Sequence, residues 1–489
     1  MRIKAQFAMV MNLDKCIGCH TCSISCKNVW TNRQGAEHMW WNNVETKPGI
    51  GYPREWENQE KYKGGWKSVG GKLVLRAGSR PKVLAKTFYN PNLPVIDDYY
   101  EPWSYEYEKL MNEKDKKSPP SARPISSLTG KHMDIKWGPN WEDDLAGVYE
   151  TGKKDSDMYG VEEGVLSDFK KVFMMYLPRI CEHCLNPSCA AACPSGAIYK
   201  RDEDGIVLVD QNLCRSWRLC VSACPYKKTY YNWNSFKADK CVFCFPRVEA
   251  GLPTLCAESC VGRLRYIGVI LYDADSVGYA ASVKQNSRAY NAHLNVILDP
   301  NDEDVIKQAR KDGIPEAWID AAKISPIYKL AVKWRIAFPP HPEYRTLPMV
   351  WYVPPLSPIL KTINGEERIS DIRKVFPTIE NMRIPIHYLA NLLTDGEDGY
   401  IQEALKKMAA MRYHMRAVNL GIETDKEILK ENGLTEESAE EMYRLLAISK
   451  YRDRFVIPSN HREIAEDLLH EQGTCGIDLE NNKGPYINC

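Results

Sequence analysis

The chain of 489 residues has no apolar run approaching the roughly 18 residues that a membrane-spanning helix needs. The stretch from Leu347 to Leu356 is apolar but carries Pro348, Pro354 and Pro355, which excludes a spanning segment. The first residues, Met1-Arg-Ile-Lys-Ala-Gln-Phe-Ala, hold neither the apolar core of a secretory signal nor a twin arginine. Residence on the cytoplasmic side is therefore expected, with any membrane attachment made through a partner. An excess of charge of one sign is missing as well. Lys and Arg number 65 against 64 Asp and Glu, and a net charge of +1 creates no field that favours nucleic acid or an anionic membrane. A phosphate-cradling glycine loop, a nucleophile elbow and a His-Glu zinc pair are also absent. Substrate conversion on this chain is not expected.

Cysteine is what the chain has in quantity. Fifteen of its 17 cysteines fall into four tight groups. These are Cys16, Cys19, Cys22 and Cys26; then Cys181, Cys184, Cys189 and Cys193; then Cys214, Cys220 and Cys224; then Cys241, Cys244, Cys256 and Cys260. In the third group Trp217 stands where a second ligand is expected. Disulfide frameworks belong to small secreted chains, and fifteen is an odd number to pair. Soft thiolates in such arrays bind iron–sulfur clusters, which carry one electron at a time.

In a two-cluster ferredoxin the first three cysteines of an array wrap one cluster and the fourth crosses to another. Applied to groups two and three, that rule joins Cys181, Cys184 and Cys189 to Cys224, and Cys214 and Cys220 to Cys193. Applied to groups one and four, it joins Cys16, Cys19 and Cys22 to Cys260, and Cys241, Cys244 and Cys256 to Cys26. Only the set of Cys193, Cys214 and Cys220 has three members. Trp217 cannot ligate iron, so a 3Fe-4S cluster is expected there; the alternative is a 4Fe-4S cluster with a noncysteine ligand, shielded by Trp217. Arg215, Arg218, Lys227 and Lys228 follow closely in sequence and would raise that cluster's potential if they are also close in space. Haem c attachment at Cys16-Ile-Gly-Cys19-His20 and all-cysteine zinc sites remain as competing readings. His183 is expected beside a cluster or at the surface, and Cys475 and Cys489 as spare thiols.

Groups two and three flank two short strands, around Ala197–Lys200 and Ile206–Asp210, with a turn at Asp204-Gly205. This suggests an inner ferredoxin-like module over residues 170–234. Asp14-Lys15-Cys16-x-x-Cys19 repeats as Asp239-Lys240-Cys241-x-x-Cys244. Residues 1–30 and 235–270 are therefore read as an outer module embracing the first. Residues 31–169 would be a tryptophan-rich insertion that covers the clusters or docks a partner. Residues 271–489 turn mainly helical, with an amphipathic helix over Tyr400–Val418, a capping box at Thr424-Asp-Lys-Glu427, a stop at Asn432-Gly433 and a further helix over Glu436–Ile448. The charge run from Asn112 to Ser118 reads as a solvated loop. The expected class is α+β: two interleaved ferredoxin-like two-cluster modules, a large irregular insertion and a mainly helical C-terminal region.

Several segments outside the cysteine groups carry a more specific signal. They are Asn12-Leu-Asp-Lys-Cys16 with the following Ile-Gly-Cys-His-Thr-Cys22, Asn43-Val-Glu-Thr-Lys-Pro-Gly49, Gly138-Pro-Asn-Trp-Glu-Asp-Asp144, Phe173-Met-Met-Tyr-Leu-Pro178, Glu343-Tyr-Arg-Thr-Leu-Pro-Met-Val-Trp-Tyr-Val-Pro-Pro355 and Val456-Ile-Pro-Ser-Asn-His-Arg462. With the Trp217 substitution, the chain resembles the beta subunit of respiratory membrane-bound nitrate reductase from Met1 to about residue 475. The resemblance implies three 4Fe-4S clusters and one 3Fe-4S cluster on the ligand sets above. It also implies a catalytic alpha partner carrying a molybdenum cofactor, a membrane gamma partner carrying haem b, and a peripheral position on the cytoplasmic face of the cell membrane. Electrons from quinol would arrive at the Cys193, Cys214, Cys220 end and leave from the Cys16, Cys19, Cys22, Cys260 end, with nitrate reduced on the partner. The runner-up is the beta subunit of a nitrite oxidoreductase running in the opposite direction. A zinc scaffold and a free-standing ferredoxin-like enzyme are the readings from other classes.

Overall fold

The computed structural model describes residues 1–100, 103–105, 124–126, 128–133, 152–161, 173–356 and 384–458. The Asn112–Ser118 charge run, Cys475 and Cys489 lie outside the described residues. The fold mixes helix and sheet.

The strand Ile3–Asn12 is the organising element. Its residues are buried on both faces, all but Lys4 fully, so the sequence runs apolar rather than alternating. It pairs antiparallel with Arg265–Asp273, from Ile3 opposite Asp273 to Met11 opposite Arg265. On its other edge it pairs parallel with Val350–Val353, from Met9 opposite Val350 to Asn12 opposite Val353. This register brings Asn12, just before the first cysteine group, beside Arg265, just after the fourth. The proline-broken apolar segment near residue 350 is thus a buried sheet strand. Helices Glu316–Lys323 and Pro326–Tyr328 pack on the sheet. A side chain at Gly268 would collide with Ser325 Oγ, so only glycine permits that approach.

The predicted hairpin is present: Ile198–Lys200 pairs antiparallel with Val207–Val209. Asp204 Oδ1 accepts from the Ile206 N–H, and Gly205 takes φ +72° in the turn. The Phe7 N–H donates to the Asp204 carbonyl at 3.0 Å, which docks the hairpin on the central strand.

The Asn43–Lys47 strand pairs antiparallel with Met175–Arg179, and every residue of the former is buried. Trp40, Trp41 and Trp56 are buried too, and Trp30 stacks on Trp41 at 5.8 Å. These tryptophans pack inward, so they do not form a docking face.

Among the helices, Asp398–Leu420 buries Ile401, Leu405, Met408 and Met415, the stripe read from the sequence. The expected box at Thr424 is corrected. Helix Lys426–Glu431 is capped by Asp425, whose carboxylate accepts from the Glu427 N–H, because the chain enters the helix one residue later. The box sits instead at Thr435 and Ser438, ahead of helix Glu436–Tyr443, which continues as a wider π-turn over Arg444–Ile448. Among the described residues no helix is long and apolar enough to cross a membrane.

Candidate metal centres

The fifteen cysteines are all free thiols, gathered where short helices and tight turns converge. After the single turn Leu13–Lys15, Gly18 takes φ +67°, which folds Cys16 and Cys19 toward one another. Helix Thr21–Cys26 then carries Cys22 and Cys26, and helix Leu255–Glu258 packs against it carrying Cys256.

Four places collect the thiols. Cys16, Cys19, Cys22 and Cys260 line one cavity. Cys26, Cys241, Cys244 and Cys256 line a second, walled by Trp30, Trp41 and Phe243. Cys193, Cys214 and Cys220 line a third together with Trp217, Arg215 and Arg218. Cys181, Cys184, Cys189 and Cys224 are buried and close enough to act on one another electrostatically.

For Cys26, Cys184, Cys220 and Cys241, burial is the first influence and a neighbouring thiolate's negative charge the second. Together they push Cys241 up to about 12 and Cys26, Cys184 and Cys220 well above the ordinary thiol value. Burial likewise drives Cys16 up to about 12. Thiols packed this way ionise only beside a compensating cation. Three or four soft sulfur donors around an apolar space, with polar hydrogens turned toward them, fit an iron–sulfur cluster. The Phe243 N–H donates to Cys241 Sγ, the Lys228 N–H to Cys224 Sγ and the Ala238 N–H to Cys214 Sγ, each at 3.4 Å. Arg265 Nη2 donates to Cys22 Sγ at 3.3 Å, and its Nε and Nη1 have no protein partner.

Of the four nearby cations, only Arg215 and Arg218 line the three-cysteine cavity. The backbone turns at Lys227, φ +51°, so that Lys227 and Lys228 are buried beside Cys224. His183 is buried rather than at the surface: Nδ1 accepts from the Val207 N–H at 3.1 Å, and its ring meets Phe243 edge-on. Arg265 and Lys240 were not singled out by sequence reading. Lys240 is buried and donates to the Cys241 and Val207 carbonyls, beside Cys181 and Cys189. Its place in the repeated Asp-Lys-Cys core was the available signal. Its counterpart Lys15 reaches Leu446 O and Ser449 Oγ instead.

Two family models match the chain: a 4Fe-4S dicluster domain over residues 172–270 and the respiratory nitrate reductase beta C-terminal domain over residues 356–436. The nitrate reductase beta chain of Bacillus subtilis is 62% identical over 99% of both chains. The chain belongs to the respiratory nitrate reductase beta-chain family. The respiratory nitrate reductase 1 beta chain of Escherichia coli is 57% identical over 98% of this chain and 93% of the relative. The dimethylsulfide dehydrogenase subunit beta of Rhodovulum sulfidophilum is 39% identical over 81% of this chain and 88% of its own length. As a member of the nitrate reductase beta family, this is an iron–sulfur electron-transfer subunit of an oxidoreductase complex. The nitrate reductase relatives favour that assignment over the nitrite-oxidising alternative.

Proposed function

We propose that the chain carries electrons from a haem b membrane subunit to a molybdenum subunit that reduces nitrate to nitrite. The observation that carries this reading is a series of four thiol sites, joined where Cys22 neighbours Cys256, Cys241 neighbours Cys181 and Cys189 neighbours Cys220, with the two inner sites buried and the two outer ones reaching the surface. At one end Cys19 is exposed, and Ile17 and Val261, next in the chain to Cys16 and Cys260, are 66% and 64% exposed. At the other end Trp217, Trp233 and Phe236 are 39%, 50% and 61% exposed. Arg218 stacks over Trp233, and the Ser216 hydroxyl donates to the Phe236 carbonyl, so the second apolar patch lies against the three-cysteine site.

Cys16, Cys19, Cys22 and Cys260 would hold one 4Fe-4S cluster, Cys26, Cys241, Cys244 and Cys256 a second, and Cys181, Cys184, Cys189 and Cys224 a third. Cys193, Cys214 and Cys220 would hold a 3Fe-4S cluster, with Trp217 closing the open corner. Clusters bound there supply reversible one-electron chemistry. The protein orients the thiolates, excludes water from the two inner sites and presents an apolar face at each end. The Trp217 end is assigned to the haem b partner and the Cys19 end to the molybdenum partner, on the cytoplasmic face of the membrane. Pairing of Ile3–Asn12 with Arg265–Asp273 supports an outer module, 1–30 with 235–270, around the inner module 170–234. Residues 31–169 then form the cover, and residues 271–489 complete the chain.

The test is an anaerobic pull-down from native membranes, with molybdenum, haem b, iron and nitrate-dependent oxidation of a reduced dye measured in the eluate. All four together support the proposal. Iron without molybdenum or nitrate activity removes the proposed destination.

A further inference from the structure

Arg265 stands in the wall between two thiol sites. It opens the Arg265–Asp273 strand opposite Met11, is fully buried, and lines the cavity of Cys16, Cys19, Cys22 and Cys260. Its Nη2 divides its bonding. It donates to Cys22 Sγ at 3.3 Å and to Asn42 Oδ1 at 2.6 Å. Asn42 lines the neighbouring cavity, that of Cys26, Cys241, Cys244 and Cys256.

A buried guanidinium normally meets a carboxylate, because an uncompensated charge in the interior is strongly unfavourable. Arg265 has sulfur in that role. Cys256, Cys22, Cys260 and Cys16 all lie close enough to act on its charge. Cys256 belongs to one site and the other three to its neighbour. Two of its N–H groups, on Nε and Nη1, remain without protein partners although they are buried. Polar hydrogens left over in this way beside thiolate sites match the acceptor sulfurs of bound clusters, and such hydrogen bonds are a recognised means of setting a cluster's potential.

We propose that Arg265 is a positioning cation shared by two iron–sulfur clusters, raising the potentials of both at once. The proposal rests on the ligand sets given above. One electron leaves one cluster and arrives on the other, while Arg265 keeps its proton throughout, since guanidinium does not deprotonate in proteins. A single charge acting on both sides moves the two potentials together and leaves the driving force between them nearly level. Two separate counter-charges would let them drift apart.

The test is an EPR-monitored redox titration of the whole membrane-bound complex, with iron content measured in parallel. In Arg265→Gln both clusters flanking residue 265 are expected to titrate at lower potential, by similar shifts. The two other clusters serve as internal controls and stay in place. Arg265→Lys, which keeps the charge but loses the fork of donors, should recover most of the fall. A shift in only one flanking cluster, no shift, or an equal shift in all four overturns the proposal. If Arg265→Gln loses iron, Arg265→Lys decides: both flanking potentials must stay within one small common shift of their native values, and a shift confined to one of them, or shifts of opposite sign, overturns it. Absence of these two clusters from the unmodified complex would instead overturn the ligand assignment.

Discussion

Cys22 and Cys26 lie one helical turn apart on Thr21–Cys26, yet they line different cavities. Cys22 shares its cavity with Cys260, and Cys26 shares its own with Cys241, Cys244 and Cys256. The short helix is therefore common to two sites. Cys26→Ala is expected to damage the cluster held with Cys241, Cys244 and Cys256 and to spare that of the sequence neighbours Cys16 and Cys19. EPR of the reduced complex separates the two signals. Loss confined to the cluster of Cys16, Cys19 and Cys22 would refute the crossed assignment.

Trp217 lines the cavity of Cys193, Cys214 and Cys220 and stands in its group where the other three groups carry a cysteine. Trp217→Cys supplies a fourth thiolate there and is expected to admit a fourth iron. The added thiolate should lower that cluster's potential and, on the proposed route, slow electron uptake from the membrane partner. Iron analysis and a redox titration check this; an unchanged count with an unchanged midpoint would sink it.

Lys47 holds a buried charge cluster together. Its Nζ lies 2.5 Å from Glu57 Oε1 and 3.4 Å from both Asp155 Oδ2 and Asp157 Oδ2, all nearly free of solvent. Tyr388 donates to the same Asp155 oxygen at 2.7 Å, tying in the C-terminal region. Among the described residues Glu57, Asp157 and His341 have the spacing of a metal site, but the Lys47 ammonium already lies against both carboxylates. Lys47→Met strands those carboxylates and is expected to cost about 3–5 kcal/mol, the range for breaking a buried pair. Thermal unfolding of the complex measures it, and a melt like that of the unmodified complex would count against the role.

His341 adds a pH dependence. Burial opposes its charge, but Glu343, at 2.9 Å from Nδ1, and Glu57, at 3.4 Å from Nε2, raise its pKa from 6.5 to about 10. A group whose folded pKa is raised contributes fully below its unfolded pKa and loses that contribution as pH rises through the folded value. Burial also raises Asp155 and raises Asp157 well above the ordinary value, so they act in the same direction. Glu57 is lowered to about 2, where burial is outweighed by Lys47 and His341; its contribution is present above 4.5 and lost as pH falls through about 2. The stability advantage over His341→Gln should be greatest below pH 6.5 and fade toward pH 10. Melting temperatures across that range provide the check, and an advantage that grew with pH would contradict it.

The hairpin at Asp204-Gly205 and the helix at Tyr400–Val418 were legible because each rests on local rules: turn residues between two short runs, and apolar positions at helical spacing. The cap at Asp425 was misread by one residue, since two adjacent side chains had capping chemistry and only the path of the chain chose between them. The pairing of Ile3–Asn12 with Val350–Val353 was not legible, because apolar runs buried on both faces carry no mark of their partner.

Cysteine spacing by itself determined that soft thiolates come in four groups and that the group around Trp217 is one short, because ligand chemistry is written into residue type and local separation. Only the tertiary structure decided what surrounds them. Arg265 reaches Cys22 across 243 positions, and Lys47 meets Asp155 across 108, contacts that no local pattern encodes. Burial gives those charges their strength: in a poorly solvated interior, the partner that packing supplies governs what each charge does.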